Sequence, residues 1–436
     1  MSGVDACPAC GRRHRHEVEL VVTESGALEQ LLAFVAQRAW RRLVVVADAN
    51  TEEAVGASVV SDLIGAGHEV RSVIFPERHG LLADEAATER VRRAIVDHDA
   101  EVAIAVGSGT LNDITRYSSF HEHRPYCSVP TAASMDGYAS SMAAMQFDGV
   151  KVTWTTQAPL AIFAEPAVIA SAPTEMTIWG LGDLMGKASA CFDWRLGHAL
   201  TGETYCPAIE ARVVGLVRRC SERVEGLLHN DKDALSVLVA GLIESGLAMA
   251  MQGNSRPASG CEHQISHFLD LLAFRGLRPH HPHGLQVAYA TGFTTRLQQR
   301  VLEHLEAPMA FVPGADNPDQ ERWLGKPSVA LEQVRDEKAE AYRAYSSSWP
   351  LATDARERLR DALVEASEQF GPIQAALEAA KVPFGPGFID VDTDMLRATL
   401  RYANRLRSRV TTLDLYEAQG CLNDEIDRLV AAGRTS

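Results

Sequence analysis

No segment of this chain reads as a membrane span, a nucleic-acid grip or a disulfide scaffold, and these absences narrow its chemistry before any motif is considered. The longest apolar stretch, Leu235 to Met251, is interrupted by Glu244 and Ser245 and is expected to form a buried helix, with nothing long enough to cross a bilayer. Lysine and arginine form no run, and a formal net charge of -15 repels phosphate backbones, which excludes nucleic acid as a partner and leaves small metabolites. Eight cysteines scattered over 436 residues do not make a disulfide framework. They fit a reducing compartment, so a cytoplasmic location is expected. The segment Met1 to His16 carries cysteines, arginines and histidines but lacks the apolar core of a signal peptide.

What is present is apolar material for two cores, 46% of 436 residues. The β-branched runs Arg42–Ala47, Val70–Phe75, Val102–Val106 and Tyr126–Val129 alternate with helical segments, of which Ala27–Trp40 is the first. Strands alternating with helices predict a parallel sheet with ligands at its carboxyl edge. Ala143–Phe147 and Val150–Thr153, separated by Asp148-Gly149, predict a hairpin. After Ala172-Pro173 the periodicity is helical throughout. The expected organisation is an α/β Rossmann-like nucleotide-binding domain over residues 1–173, with a short Cys/His-bearing tail, and an all-α metal-binding and substrate domain over 174–436. The last helices, Asp354–Lys381 and Thr393–Arg409, begin at cap-forming residues and are rich in Arg, Glu, Ala and Leu. They are expected to serve packing and a homo-oligomer interface.

Directly after the run Val102–Val106 stands Gly107-Ser108-Gly109-Thr110-Leu111-Asn112-Asp113, where small residues let backbone N–H groups approach a pyrophosphate at a helix N-terminus. The string departs from GxGxxG at Asn112, and a tight strand-to-helix turn is the plain alternative. Asp48 ends the run Arg42–Ala47, where a carboxylate either accepts ribose hydroxyls and repels a 2′-phosphate, or caps the next helix.

His263 and His267 stand four apart and share a helix face, and His280, His281 and His283 cluster downstream. Imidazoles so concentrated suit Zn²⁺, Ni²⁺ or Fe²⁺, with a carboxylate as the usual third ligand of a catalytic site. Asp183, flanked by Gly180, Gly182 and Gly186, is the candidate. The alternative for Asp183 is a surface ion pair with Lys187 one turn on. Separately, Cys7-Pro-Ala-Cys10-Gly with His14 and His16 has the spacing of a zinc knuckle, although all four ligands would fall within ten residues; an exposed, reduced tail is the alternative.

In their order these strings resemble the iron-containing alcohol dehydrogenase, glycerol dehydrogenase and dehydroquinate synthase-like superfamily, and within it the sn-glycerol-1-phosphate dehydrogenases. The resemblance runs from about Val18 to Leu297 and is carried by Gly107–Asp113, Pro130–Ser140, Gly182–Lys187, Ser255–His263 with His267, and Pro282-His283-Gly284. It implies metal ligands at Asp183, His263 and His283, substrate contacts at Asp136 and His267, and a cofactor cleft lined by Thr131, Ser134 and Ser140. It further implies NAD or NADP, one divalent metal (Zn²⁺ or Ni²⁺ ahead of Fe²⁺), and interconversion of sn-glycerol 1-phosphate with dihydroxyacetone phosphate. Ser259-Gly260, Arg256 and Lys187 are the candidates for the substrate's phosphate. The competing expectations are a glycerol, other polyol or phosphonate alcohol dehydrogenase, a dehydroquinate synthase-like lyase, and a non-catalytic metabolite sensor.

Overall fold

The computed structural model describes residues 6–147, 150–309, 318–326, 329–346, 349 and 351–433. Among them the strands are β1 (Leu20–Val22), β2 (Arg42–Asp48), β3 (Glu69–Phe75), β4 (Val102–Gly107), β5 (Tyr126–Pro130), β6 (Met142–Phe147), β7 (Val150–Thr155) and β8 (Ala161–Phe163). Six of them form one sheet in the order β1-β8-β5-β4-β2-β3, and every pairing in it is parallel. The near-continuous apolar run of β2 has a direct cause. Leu43, Val45 and Ala47 pack on one face with Leu31, Phe34, Val59 and Leu63, while Val44 and Val46 pack on the other with Val91, Ile95 and Ile114. Both faces are covered, so neither alternate set needs to be polar.

From β2 the chain goes to β3 on one side and returns to β4 on the other. That reversal makes the carboxyl ends of β2 and β4 a switch point, where a parallel sheet opens a ligand crevice. Val46 pairs with Ala105, so the neighbouring strands end together at Asp48 and Gly107. β6 and β7 pair antiparallel with Phe147 opposite Val150; the Asp148-Gly149 turn lies outside the described residues. β1 and β8 were not expected, because three residues each are too short to show alternation.

From Thr174 onward the described secondary structure is helical. The compact units divide differently from a single cut at residue 173. One comprises the chain from Arg13 to Leu184 together with Arg223–Gly253; the other comprises Ala6–Arg12, Met185–Glu222 and the chain from Asn254. The helix Lys232–Gln252 belongs with the sheet because its small residues permit contact: a Cβ on Gly246 would lie 3.0 Å from Ala139 Cβ and from the Asp136 carbonyl. This helix is, against expectation, long and apolar enough to cross a membrane by length and composition, since one carboxylate does not disqualify it; 67% of its apolar window is buried in the fold.

Three helix boundaries also differ. The first helix stops at Gln37 rather than Trp40, because Ala39 takes a φ of 53°. The segment expected as one helix from Asp354 is two, Thr353–Ser367 and Phe370–Ala379, the first capped at Ala352. Pro372 lacks an N–H and its ring obstructs a continuing turn, so it sits where that is tolerated, in the first turn of a new helix. The helix at Thr393 ends at Tyr402 rather than Arg409, and its cap is Asp392, whose side chain accepts Met395 N–H at 2.8 Å.

Helical glycines separate packing from propensity. A Cβ at Gly180 would fall 1.9 Å from the Ala133 carbonyl, whereas one at Gly215 would meet nothing within 4 Å. Alanine is favoured over glycine in a helix interior by about 1 kcal/mol. Gly215→Ala is therefore expected to raise the urea midpoint, and Gly180→Ala to lower stability by roughly 1–3 kcal/mol through overpacking. A raised midpoint in Gly180→Ala would show that the helix does not press on the loop at Ala133.

Candidate metal and nucleotide site

At the carboxyl edge of the sheet, β4 gives way to the helix Gly109–His121. Its N-cap, Ser108, makes no capping hydrogen bond with its side chain, so the N–H groups of the first turn remain oriented donors at the positive end of the helix. Gly107 and Gly109 are not needed for unusual φ; they are needed for space. A Cβ at Gly107 would lie 2.2 Å from Leu111 Cδ1, and one at Gly109 3.0 Å from Met135 Cε. Ser108, Gly109 and Thr110 are half-buried. Asp48 caps the adjoining turn, its Oδ1 accepting Thr51 N–H at 2.8 Å. Asp113 accepts from Arg116 at 2.7 Å and from Ala144 N–H at 3.2 Å.

The loop after β5 carries Thr131, Ser134, Asp136 and Ser140, all buried. A residue the sequence reading missed organises it. Arg116, fully buried, donates to Tyr126 Oη at 2.8 Å, to Asp113, and to the carbonyls of Gly137 and Met142. Tyr138 Oη closes the loop on the Ala132 carbonyl at 2.7 Å. Asp136 N–H donates to Asp183 Oδ2 at 3.0 Å, and Asp136 Oδ2 accepts the Ser245 hydroxyl at 3.3 Å.

Asp183 stands on the 28-residue helix Thr174–Thr201, His263 on Cys261–Phe274 and His283 at the start of His283–His304. Each offers a ligand atom, and these atoms lie within 4.8 Å of one another. Asp183 and Lys187 are both fully buried, which overturns the surface ion pair. Gly186 has a packing reason, since a Cβ there would come within 2.8 Å of Val287 Cγ1 and 3.2 Å of Glu262 Cγ.

Glu262 fixes the first imidazole. Its Oε1 lies 2.8 Å from His263 Nδ1 and accepts Gly260 N–H at 2.6 Å, while Oε2 accepts the Ser189 hydroxyl at 2.9 Å. A proton on Nδ1 leaves Nε2 as the lone pair for a metal, the carboxylate–histidine arrangement common at such centres. His283 Nδ1 lies 3.3 Å from Ser266 Oγ, again leaving Nε2. One carboxylate and two oriented imidazoles are the donor set of a catalytic divalent metal with positions left for substrate. Burial pushes the carboxyls of Glu262 and Asp193 up from their ordinary range. Asp193, Cys261 and Glu262 also cluster, but Asp193 accepts from Cys261 N–H at 2.7 Å and Thr412 N–H at 2.9 Å, so that group caps helices.

His267 stays beside the centre without joining the ligand group, its ring 6.3 Å from that of His263 and 6.1 Å from that of His283. His280 and His281 face Asp270 and Asp390 at 3.6 and 2.8 Å. Arg256 is not a free cation for phosphate: it pairs with Glu203 and donates to the Val410 carbonyl at 2.9 Å. The neighbouring Arg409, outside the sequence reading, donates to the Ser259 carbonyl and to Ser255 Oγ at 2.5 and 2.6 Å. Burial, with Arg256 and Arg407 close by, lowers its pKa to about 9.

Residues 22–173 match the iron-containing alcohol dehydrogenase family. The chain shares its fold with the crystal structure of a probable glycerol dehydrogenase from Sinorhizobium meliloti 1021, at a TM-score of 0.61 and 16% identity over 96% of this chain and 98% of that one. The family match and the curated relatives that follow make the chain a metal- and nicotinamide-dependent alcohol oxidoreductase. A glycerol-1-phosphate dehydrogenase [NAD(P)+] of Geobacillus stearothermophilus is 31% identical over 93% of this chain and 94% of its own length. One from Methanothrix thermoacetophila is 33% identical over 66% and 81%. The chain belongs to the glycerol-1-phosphate dehydrogenase family.

If Glu262 sets the tautomer of His263, Glu262→Gln should weaken metal binding by about 10–100-fold, the range for losing such a partner. Competition against a chromophoric chelator measures this, and an unchanged affinity would remove Glu262 from the centre.

Proposed function

We propose that this protein reversibly reduces dihydroxyacetone phosphate to sn-glycerol 1-phosphate with NADH or NADPH, at a Zn²⁺ or Ni²⁺ ion held by Asp183, His263 and His283. The observation that carries the reading is the ligand group itself, three donor side chains within 4.8 Å with His263 oriented by Glu262. A metal there supplies Lewis-acid polarisation of the substrate oxygen, and nicotinamide supplies the hydride exchange at the carbinol carbon.

This chain's residues do the rest. His267 holds the proton destined for the substrate oxygen, which suits an imidazole beside the ligands and partly open to solvent, 25% exposed along its side chain. Asp136 orients the substrate's hydroxyls, itself held by Ser245. Gly107, Ser108, Gly109 and Thr110 present N–H groups to the pyrophosphate, while Thr131, Ser134 and Ser140 line the nicotinamide side. Asp113 steadies that wall through Arg116. Arg409, beside the Ser259-Gly260 turn, neutralises the substrate's phosphate.

Stripping metal, restoring Zn²⁺ or Ni²⁺, and following NADH absorbance tests this. Turnover should return with dihydroxyacetone phosphate, stay at background with dihydroxyacetone, and be absent in His263→Ala. Activity confined to the unphosphorylated ketone would move the substrate to a plain polyol, and no turnover with either would end the dehydrogenase reading.

Asp48 is proposed to accept the adenosine ribose hydroxyls and so to disfavour a 2′-phosphate. Asp48→Ser keeps a capping oxygen for Thr51 N–H and removes the charge. Its KM for NADPH should fall by about tenfold, equivalent to ~1.4 kcal/mol, at nearly unchanged stability. An unaltered NADPH/NADH ratio would leave Asp48 as a cap alone.

A further inference from the structure

The N-terminal segment holds three side chains, and the start of the helix Pro207–Ser221 a fourth, that the proposed reaction does not use. Cys7 Sγ, Cys10 Sγ, a ring nitrogen of His14 and Cys206 Sγ lie within 4.8 Å of one another, and Cys7 and Cys206 sulfurs are 3.9 Å apart. Ligands of a tetrahedral zinc with Zn–S of about 2.3 Å stand about 3.8 Å apart. Cys7, His14 and Cys206 are buried, and none of the three cysteines is in a disulfide.

The backbone around Cys7 and Cys10 forms a closed, hydrogen-bonded turn. Cys7 N–H donates to the Arg12 carbonyl at 2.8 Å, and Cys10 and Gly11 N–H turn back to the Cys7 carbonyl at 3.3 and 2.7 Å. Gly11 takes a φ of 71°, which closes this turn. Cys206 is the N-cap of the helix Pro207–Ser221 and makes no capping hydrogen bond with its side chain. His14 Nδ1 lies 2.8 Å from the Met251 carbonyl, so Nδ1 carries the proton and Nε2 is the nitrogen that would take a metal.

We propose that Cys7, Cys10, His14 and Cys206 bind a structural zinc ion that fastens the N-terminal segment to the start of the helix Pro207–Ser221. His16, the fourth ligand that spacing alone offered, is outside the group; Cys206, 199 residues from Cys7, takes its place. Three thiolates and one imidazole select Zn²⁺ over oxygen-seeking cations, and four protein donors leave no position for substrate. Loading releases thiol protons and adds its binding free energy to the order of this segment.

The full-length protein, purified without chelator, tests the assignment. Titration with an organomercurial, read by a zinc indicator, should release one zinc equivalent per chain, because the Asp183–His263–His283 group contains no sulfur. With Co²⁺ in place of zinc, thiolate-to-cobalt charge-transfer absorption should appear, persist in His263→Ala and vanish in Cys206→Ser. If Cys206→Ser does not fold, the organomercurial release from the unaltered chain decides alone. Release of no zinc, cobalt loading without thiolate absorption, or a Cys7–Cys206 disulfide in the isolated protein would overturn the proposal.

Discussion

The buried carboxylate of Glu262 is the constraint on which the rest of the centre depends. It sits in the first turn of its own helix, accepts the Gly260 amide that begins that helix, and takes the proton-bearing nitrogen of His263. A carboxylate so placed satisfies an orphan donor and favours the positive end of the helix dipole. Burying it would be costly without partners, and Ser189, Gly260 and His263 are those partners, with Lys187 buried nearby. Helix start, imidazole tautomer and ligand direction are therefore one arrangement.

On the sheet side a buried guanidinium does comparable work. Arg116 donates to the Gly137 carbonyl in the loop after β5, to the Met142 carbonyl that opens β6, to a tyrosine on β5 and to Asp113 one turn back on its own helix. The glycine-rich turn after β4 and the loop holding Asp136 are thereby referred to the same helix. The open part of that helix is its first turn, where Ser108 contributes no cap.

Much of this was readable from the residues. β2, β4 and β5 appear as apolar runs because their faces are covered on both sides, and the histidine spacing of four put His263 and His267 on one helix face. Other parts were not readable, for physical reasons. Three-residue strands such as β8 carry no period. Glu262 was in plain view in Cys-Glu-His, but nothing in the string distinguishes a surface acid from one turned inward. Arg256 resembled a phosphate ligand until Glu203 was seen to neutralise it, and Arg409 lies more than a hundred residues from the turn it contacts. Cys206 could not be grouped with Cys7 by spacing, because only folding brings them together.

The contact between Asp136 N–H and the Asp183 carboxylate joins a proposed metal ligand to the backbone of the loop proposed to line the nicotinamide side. The same helix meets that loop again where Gly180 lies against Ala133. Linkage then requires reciprocity: whatever factor a bound metal contributes to ordering this loop for nucleotide, the nucleotide returns to metal retention. The two ligands of this protein are in that sense each other's effectors, and metal loss should be slowest when the dinucleotide is in place.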